Sequence, residues 1–221
     1  MRAVRYLRYR DIIPYSAIAR HIPRNPVILE AGAANGSNTI EMAEYWPLSH
    51  IHAFEPVPDA RESLLKKTET CRERVNVYPV ALGEKAGSFP MFVSGDGTAS
   101  DSQSSSLLAP TSHAEEFDFV RFGKQIMVDV DTIDHWAEQN NIKQVNFMWL
   151  DMQGYELRAL RGAVAILAGV QAIHMEISNS ALYAGAPLAP EVHRFMASIG
   201  FKSVVEAMFR VSGNVLFVRK L

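Results

Sequence analysis

Two glycines and two carboxylates set the chemistry open to this chain. Val27-Ile28-Leu29-Glu30-Ala31 is an apolar run that breaks into the turn Gly32-Ala33-Ala34-Asn35-Gly36, and the next apolar run, His52-Ala53-Phe54, ends in Glu55. A strand that gives way to such a small-residue turn lets a ligand come close to bare backbone. A carboxylate ending the neighbouring strand accepts hydrogen bonds from both hydroxyls of a ribose, which a neutral or basic side chain cannot do. The pairing outlines a nucleoside-cofactor site. The two glycines are four positions apart, and Ala34 stands where the dinucleotide pattern G-x-G-x-x-G needs its second glycine. A bulky pyrophosphate requires that glycine, so a cofactor without phosphate fits the turn better.

Three further segments follow in order. They are Ser104-Ser105-Ser106-Leu107-Leu108-Ala109-Pro110, then Val128-Asp129-Val130-Asp131-Thr132-Ile133-Asp134, then Trp149-Leu150-Asp151-Met152-Gln153-Gly154-Tyr155-Glu156-Leu157 running into Leu160-Arg161-Gly162-Ala163. With the E-x-G-A-x-x-G turn ahead of them, these segments resemble the FkbM family of methyltransferases. That family's pattern is D-x-G-A-x-x-G, S-S-L, T-L-D and K-I-D-x-E-G-x-E-x-x-x-L-x-G-A. The resemblance spans about residues 27 to 177, and the last motif is its most specific part. It implies an α/β fold of the Rossmann-like class I methyltransferase type, a mostly parallel seven-stranded sheet with helices on both faces and a C-terminal antiparallel hairpin. It also implies S-adenosyl-L-methionine as cofactor, held by Glu30, Gly32, Ala33, Asn35, Gly36, Glu55, Pro56, Ala81, Leu82 and Asp151, with Ala81-Leu82-Gly83 near the adenine. The implied reaction is O-methylation of a hydroxyl on a sugar, glycan or natural-product acceptor. Three positions depart from the pattern: Glu30 replaces the usual Asp, Trp149 the usual Lys and Gln153 the usual Glu.

Moving a methyl group from a sulfonium to an oxygen is an in-line displacement, with the acceptor within about 3 to 3.5 Å of the carbon. Positioning and dryness carry most of that work, and one base near neutral pKa can take the hydroxyl proton. Asp151, ending the apolar run Val145 to Leu150, is the first candidate; Glu176, near the end of Ala172 to Ile177, and His113 are the others. Asp151 also suits a helix cap, because a carboxylate ahead of a helix accepts from its free amides. His174 lies one strand step deeper than Glu176 and reads as a core residue. Asp129, Asp131 and Asp134 lack the glycine bend of a calcium loop. A strand end with Asp131 or Thr132 capping the next helix accounts for them, and no metal is expected.

Composition narrows the classes. The 221 residues suit one α/β domain with a full core. Lys plus Arg is 22 against Asp plus Glu at 24, a net charge of −2 that gives no general pull toward phosphate backbones, so nucleic acid is not an expected partner. Cys71 stands alone, which rules out an internal disulfide and fits a reducing, cytoplasmic setting. Apolar stretches fall well short of the roughly 20 residues of a spanning helix. The start, with Arg2, Arg5, Arg8 and Arg10 among Val4, Tyr6, Leu7 and Tyr9, lacks the pattern of a signal peptide and reads as a solvated face. Nothing in the pattern sets an oligomeric state.

These residues need a scaffold of alternating strands and helices. A leading helix at about 9 to 21 makes residues 1–26 a helical lead-in, and Pro23 and Pro26 separate it from a methyltransferase domain at 27–221. Strands are expected at Val27 to Ala31, Ile51 to Glu55, Val75 to Val80, Gly87 to Val93, Val145 to Leu150 and Ala172 to Ile177, with Phe201 to Glu206 and Val215 to Arg219 as a closing pair. Helices are expected from Ser37 or Asn38 through Trp46, from Asp59 to Arg72, onward from Gly154 and from Pro190 to Ile199. In the helix opened by Gly154, Leu157, Leu160, Val164 and Leu167 share one face. Ser94 to Ser106 is so rich in Gly, Ser, Thr and Asp that it is not expected to form core, and residues 94–124 read as a mobile active-site cover. Two rival readings use the same architecture: an NAD-dependent oxidoreductase, which the missing middle glycine disfavours, and a non-catalytic binding module.

Overall fold

The computed structural model describes residues 13–95, 102–117 and 120–220. The four amino-terminal arginines and residues 9–12 of the expected leading helix lie outside these residues; of the described part, 13–21, only the single turn Tyr15–Ile18 is helical, shorter than expected. Among the described residues ten strands follow in chain order: β1 Val27–Ala31, β2 His50–Phe54, β3 Val75–Tyr78, β4 Ala81–Leu82, β5 Gly87–Ser94, β6 Phe122–Asp131, β7 Phe147–Leu150, β8 Ala172–Ser178, β9 Phe201–Met208 and β10 Ser212–Arg219. Seven of them form one sheet in the order β3-β2-β1-β7-β8-β10-β9. The β3-β2-β1-β7-β8 pairings are parallel, while β10 runs antiparallel to both β8 and β9. This is the mostly parallel seven-stranded sheet with a closing hairpin that the sequence predicts.

Both faces of the sheet are covered, which is why its strands are apolar on both sides. Along β1, Leu29 and Ala31 join one core with Met148 and Leu150 of β7, while Ile28 joins the opposite core with Phe147 and Trp149. The chain steps outward from β1 to β2 and β3, then returns to β7 on the other side of β1. That reversal leaves a crevice at the carboxyl ends of β1 and β7, the place where open α/β sheets bind ligands.

Several elements differ from the sequence-based reading. The third strand stops at Tyr78, and Ala81–Leu82 leaves the main sheet to pair with β6 in a three-stranded sheet, β4-β6-β5. The helix after the Gly154 turn is Glu156–Arg161 only, and Val164 is 76% exposed, so the expected apolar face breaks after Leu160. Gly162 explains the break. A Cβ there would collide with the Gly83 carbonyl oxygen, so the chain must turn with no side chain at that point. The helix after the first glycine turn, Ser37–Tyr45, is preceded by Gly36 in the left-handed region, and Asn35 rather than Ser37 supplies the accepting oxygen, from the Ser37 N–H and hydroxyl.

The largest difference concerns the serine-rich stretch, of which residues 96–101 and 118–119 lie outside the described ones. Ser94 and Ser106 are fully buried. The backbone of Ser106 exchanges hydrogen bonds of 2.8 and 3.0 Å with Phe92, the Ser94 hydroxyl accepts from the Ser104 N–H, and β6 has already begun at Phe122. Short hydroxyl side chains satisfy one another and the neighbouring backbone here, so burial proceeds without apolar residues.

Candidate functional site

The glycine turn is held from both ends. Gly32 and Ala33 donate their N–H groups to the Phe54 carbonyl, each at 3.1 Å, and Asp151 donates its N–H to the Ala31 carbonyl at 3.0 Å. Gly32 has φ +82, and any Cβ on it would press into the carbonyl group of Asp151. Glu55 closes the turn from the β2 side. One carboxylate oxygen accepts from the Ala34 N–H at 2.8 Å and the other from the Val57 N–H at 2.7 Å. Each oxygen keeps a lone pair, and the carboxylate borders the crevice.

That crevice encloses about 520 Å³ of space open to solvent, within the range of small-molecule sites. Of the residues named from sequence, Gly32, Glu55, Pro56, Ala81, Leu82 and Asp151 line it. Glu30, Ala33, Asn35 and Gly36 do not. Glu30 lies fully buried beneath the turn, bonded to the Thr39 hydroxyl at 2.6 Å, and Gly36 packs on Leu64. Asn35 faces outward to Ser37 and Lys67. Ala34, Phe54, Met91, Met152 and Tyr155 also line the crevice, together with Gln103, Ser105 and Leu107 from the serine-rich stretch. Sequence reading places Gln103, Ser105 and Leu107 within an expected active-site cover at 94–124 without singling them out; their position against the crevice comes from the tertiary structure.

The catalytic candidates separate. Asp151 does not cap the helix behind it, which has no side-chain cap; Glu156, its first residue, instead ties down the turn ahead of it, one carboxylate oxygen accepting from the Met152 N–H at 2.7 Å and from the Gly154 N–H at 3.3 Å. Asp151 instead faces Glu176 across Gln153, whose Nε2 donates to Asp151 Oδ1 and to Glu176 Oε2, each at 2.7 Å. Gln153 is in the left-handed region at φ +54, and its Oε1 accepts from the Tyr183 hydroxyl at 3.0 Å. His113 is 3% exposed in an aromatic box of Phe117, Phe122 and Tyr183, and borders neither Asp151 nor the crevice. His174 stacks on Trp149 at 3.6 Å in the core, where burial lowers its pKa to about 3. Asp131 accepts from the Thr132 N–H and from His135, while Asp134 accepts from the Ala165 and Ile166 N–H groups. Thr132 caps the helix Ile133–Gln139.

Burial dominates the electrostatics. It pushes the pKa of Glu30 up to about 8 and those of Glu55 and Glu156 to about 7, raises Asp151, and raises Glu176 well above the carboxylate range, with repulsion from Asp151 and Glu156 adding to it. Of these carboxyls Glu55 and Asp151 border the crevice, and among the described residues no Lys, Arg or His lines it; Arg61, bonded behind it to the Glu55 and Pro56 carbonyls, partly offsets burial at Glu55. The folded protein keeps protons that the unfolded chain releases near 4.5. Stability from these three glutamates is therefore present below about 4.5 and lost as pH rises through 7 to 8. The buried histidines act oppositely but are neutral in both states above about 6.5. Between pH 6.5 and 8.5 the melting temperature of the free protein should therefore fall. Glu30 alone accounts for about 2 kcal/mol, or roughly 4 to 8 °C. A melting temperature flat or rising across that window would show these carboxyls to be ionised already.

The methyltransferase FkbM domain model matches residues 30–203. The 2-O-methyltransferase NoeI of Sinorhizobium fredii (strain NBRC 101917 / NGR234) is 30% identical over 200 residues, covering 87% of this chain and 79% of NoeI. Methyltransferase sdnD of Sordaria araneosa is 25% identical over 160 residues, 64% of this chain and 62% of that protein. The crystal structure of a methyltransferase FkbM from Methylobacillus flagellatus KT superposes with a TM-score of 0.60 at 16% identity, over 95% of this chain and 49% of that one, so this chain spans about half the length of that relative. Magnesium protoporphyrin IX methyltransferase of Synechocystis PCC 6803, solved with bound S-adenosylmethionine, gives a TM-score of 0.51 at 10% identity, over 89% of this chain and 71% of that one.

Proposed function

We propose, from the premise that this chain belongs to the FkbM methyltransferase family, that it transfers the methyl group of S-adenosylmethionine to a hydroxyl of a small neutral acceptor, a sugar or a glycan terminus. The observation that carries this reading is the crevice at the β1/β7 reversal, with Glu55 at the nucleoside end and the uncompensated Asp151 at the other. A sulfonium cofactor brings the positive charge that this wall lacks. A dinucleotide brings two phosphates to a wall of carboxyls with no basic side chain, which disfavours the NAD reading on a second count. NoeI, named for a 2-O position, supports oxygen as the acceptor atom.

In this proposal Gly32 admits the cofactor to bare backbone, Glu55 holds the ribose hydroxyls, and Phe54, Leu82 and Met91 give the adenine an apolar slot. When bound, the cofactor supplies an electrophilic methyl group. Asp151 stands beside that charge, and one member of the Asp151–Glu176 pair receives the acceptor's proton. The cytoplasm suits a chain whose one cysteine, Cys71, is buried and free. The test is calorimetry with S-adenosylhomocysteine and with NAD, followed by mass spectrometry for a 14-dalton gain on glycans exposed to the protein and cofactor. Binding of NAD in preference to S-adenosylhomocysteine would sink the proposal, and binding of neither would leave the non-catalytic reading.

The stretch from Gln103 to Leu107 is proposed to cover the bound cofactor, since Gln103, Ser105 and Leu107 face the crevice. Its anchors are hydrogen bonds between short segments, among them the Ser106–Phe92 pair, the Ser104 N–H on the Ser94 hydroxyl, the Ser94 N–H on the Ser105 hydroxyl, the Ser106 hydroxyl on the Gln153 carbonyl at 2.9 Å and the Tyr183 hydroxyl on the Ser104 carbonyl at 2.8 Å. Amide exchange at 103–108 should slow several-fold on adding S-adenosylhomocysteine, as expected for a segment that opens locally in the free protein. Exchange that is equally slow with and without ligand would remove the cover.

A further inference from the structure

A second cavity lies on the far side of Gln153, enclosing about 390 Å³ open to solvent. Glu156, Glu176, Tyr183 and Ser212 give its wall a polar side, and Leu182, Ala186 and Val192 an apolar one. Glu176 borders this cavity and not the cofactor crevice, whereas Asp151 borders the crevice and not this cavity. The two carboxylates are joined through a single amide nitrogen of Gln153, two hydrogen-bond lengths from one to the other. The other oxygen of Glu176 accepts from the Ser212 hydroxyl at 3.1 Å. Gly154, at φ +92, lets the chain pass against Ala186, whose Cβ lies 2.7 Å from where a side chain at 154 would begin.

We propose that this second cavity seats the methyl acceptor, that Glu176 takes the proton from its hydroxyl, and that Gln153 positions the two carboxylates on either side of the line of transfer. The inference rests on the methyl-transfer reading above. As the acceptor oxygen bonds to the methyl carbon, the carbon–sulfur bond breaks. Its electron pair stays on sulfur, which becomes a neutral thioether, and the hydroxyl proton passes to the Glu176 carboxylate. A carboxylate buried beside another carboxylate is a stronger base than an exposed one, since losing charge relieves their repulsion.

The lining also selects the acceptor. Among the described residues it includes no Lys, Arg or His, and it offers carboxylate, hydroxyl and phenol groups opposite aliphatic side chains. Carboxylates accept hydrogen bonds from hydroxyls, and the aliphatic wall takes the C–H face of a saturated ring. A neutral hydroxylated ring of saccharide type fits; a uronate or phosphorylated sugar meets two carboxyls with no counter-charge.

Methyl-labelled wild-type protein saturated with S-adenosylhomocysteine tests this by NMR. The probes are methyl hexopyranosides and the corresponding methyl hexopyranosiduronates. S-Adenosylhomocysteine should shift Leu82, Met91 and Leu107; neutral glycosides should then shift Leu182, Ala186 and Val192, with uronates at least tenfold weaker. Glycosides that leave those methyls unmoved, or uronates that bind as well, overturn the subsite while the methyl-transfer reading stands. Failure of S-adenosylhomocysteine to bind removes that reading itself. With the best glycoside as acceptor, Glu176→Gln should bind S-adenosylhomocysteine within about twofold of wild type. Its turnover should fall about a hundredfold, the scale of a lost general base, with the rise of kcat with pH abolished. Turnover retained in Glu176→Gln but lost in Asp151→Asn would overturn the assignment of the proton.

Discussion

Replacing Gly32 by alanine is expected to abolish detectable binding of S-adenosylhomocysteine and to lower the melting temperature by roughly 4 to 24 °C. The loss has two sources. Gly32 sits at φ +82, a region that costs a non-glycine residue about 1 to 3 kcal/mol, and the new Cβ would lie inside the contact distance of the Asp151 carbonyl group. Neither partner has room to yield. Asp151 donates to the Ala31 carbonyl, and β1 and β7 are locked in register immediately before them, Ala31 opposite Leu150. Relief therefore requires the turn to move into the crevice, at an overpacking cost of about 1 to 3 kcal/mol more, each kcal/mol lowering the melting point by about 2 to 4 °C in a chain this size. Gly36→Ala provides the contrast, because its Cβ meets the flexible end of Leu64 at 2.8 Å as well as backbone at 3.0 Å, away from the crevice, and should spare more of the affinity. A Gly32→Ala protein that melts within a degree or two of wild type and binds the ligand unchanged would show that the turn is not where the cofactor meets backbone.

The strands were legible because their burial on both faces leaves little room for polar residues. Phe147-Met148-Trp149-Leu150 sends alternate side chains into two different cores, so its unbroken apolar run reads as a strand of a parallel sheet. Helix ends were less legible. Val164 and Leu167 follow Leu160 at helical spacing, yet the helix ends at Arg161 because Gly162 must pass against Gly83, a contact set by an element 79 residues away in the chain. The serine-rich stretch misleads for a different reason. Its composition has almost nothing for a core to hold, but Ser94, Ser104 and Ser106 pair with backbone in β5 and with one another. Hydrogen bonds between segments leave no periodic trace in sequence.

The site divides in the same way. Gly32 and Glu55 declare themselves because a turn glycine and a strand-end carboxylate are local signals, whereas Glu156 is read only as part of a motif. Its hold on the Met152 and Gly154 N–H groups is what leaves the Asp151 carboxylate to Gln153 rather than to that turn. Gln153 appears in sequence only as the absence of a family acid. In the fold its amide joins two carboxylates and a phenol, a role a glutamate cannot fill without a shared proton. The functional distinction between Asp151 and Glu176, both at carboxyl ends of adjacent strands, follows from which cavity each one faces.

Glu55→Ala should weaken S-adenosylhomocysteine binding by at least about a hundredfold at pH 8. The carboxylate is placed to accept from both ribose hydroxyls, and two charge-assisted bonds at roughly 1.5 to 3 kcal/mol each set that scale. Part of the loss comes from the turn itself, since Glu55 also accepts from the Ala34 and Val57 N–H groups. Glu55→Gln separates the two effects: its one carbonyl oxygen can keep a turn bond, while the charge that favours the ribose hydroxyls is gone. A second signature follows from the proton. Burial pushes the Glu55 pKa up to about 7, and the ribose hydroxyls bond best to the ionised form. Wild-type affinity should therefore tighten as pH rises from 6 to 8, with a proton released on binding at the lower end, and Glu55→Gln should lack that proton release. Calorimetry in buffers of different ionisation enthalpy measures both quantities at once. Affinity unchanged in a folded Glu55→Ala protein would move the ribose to another part of the crevice; affinity lost, with proton release intact in Glu55→Gln, would assign the titration to Asp151 or Glu30 instead.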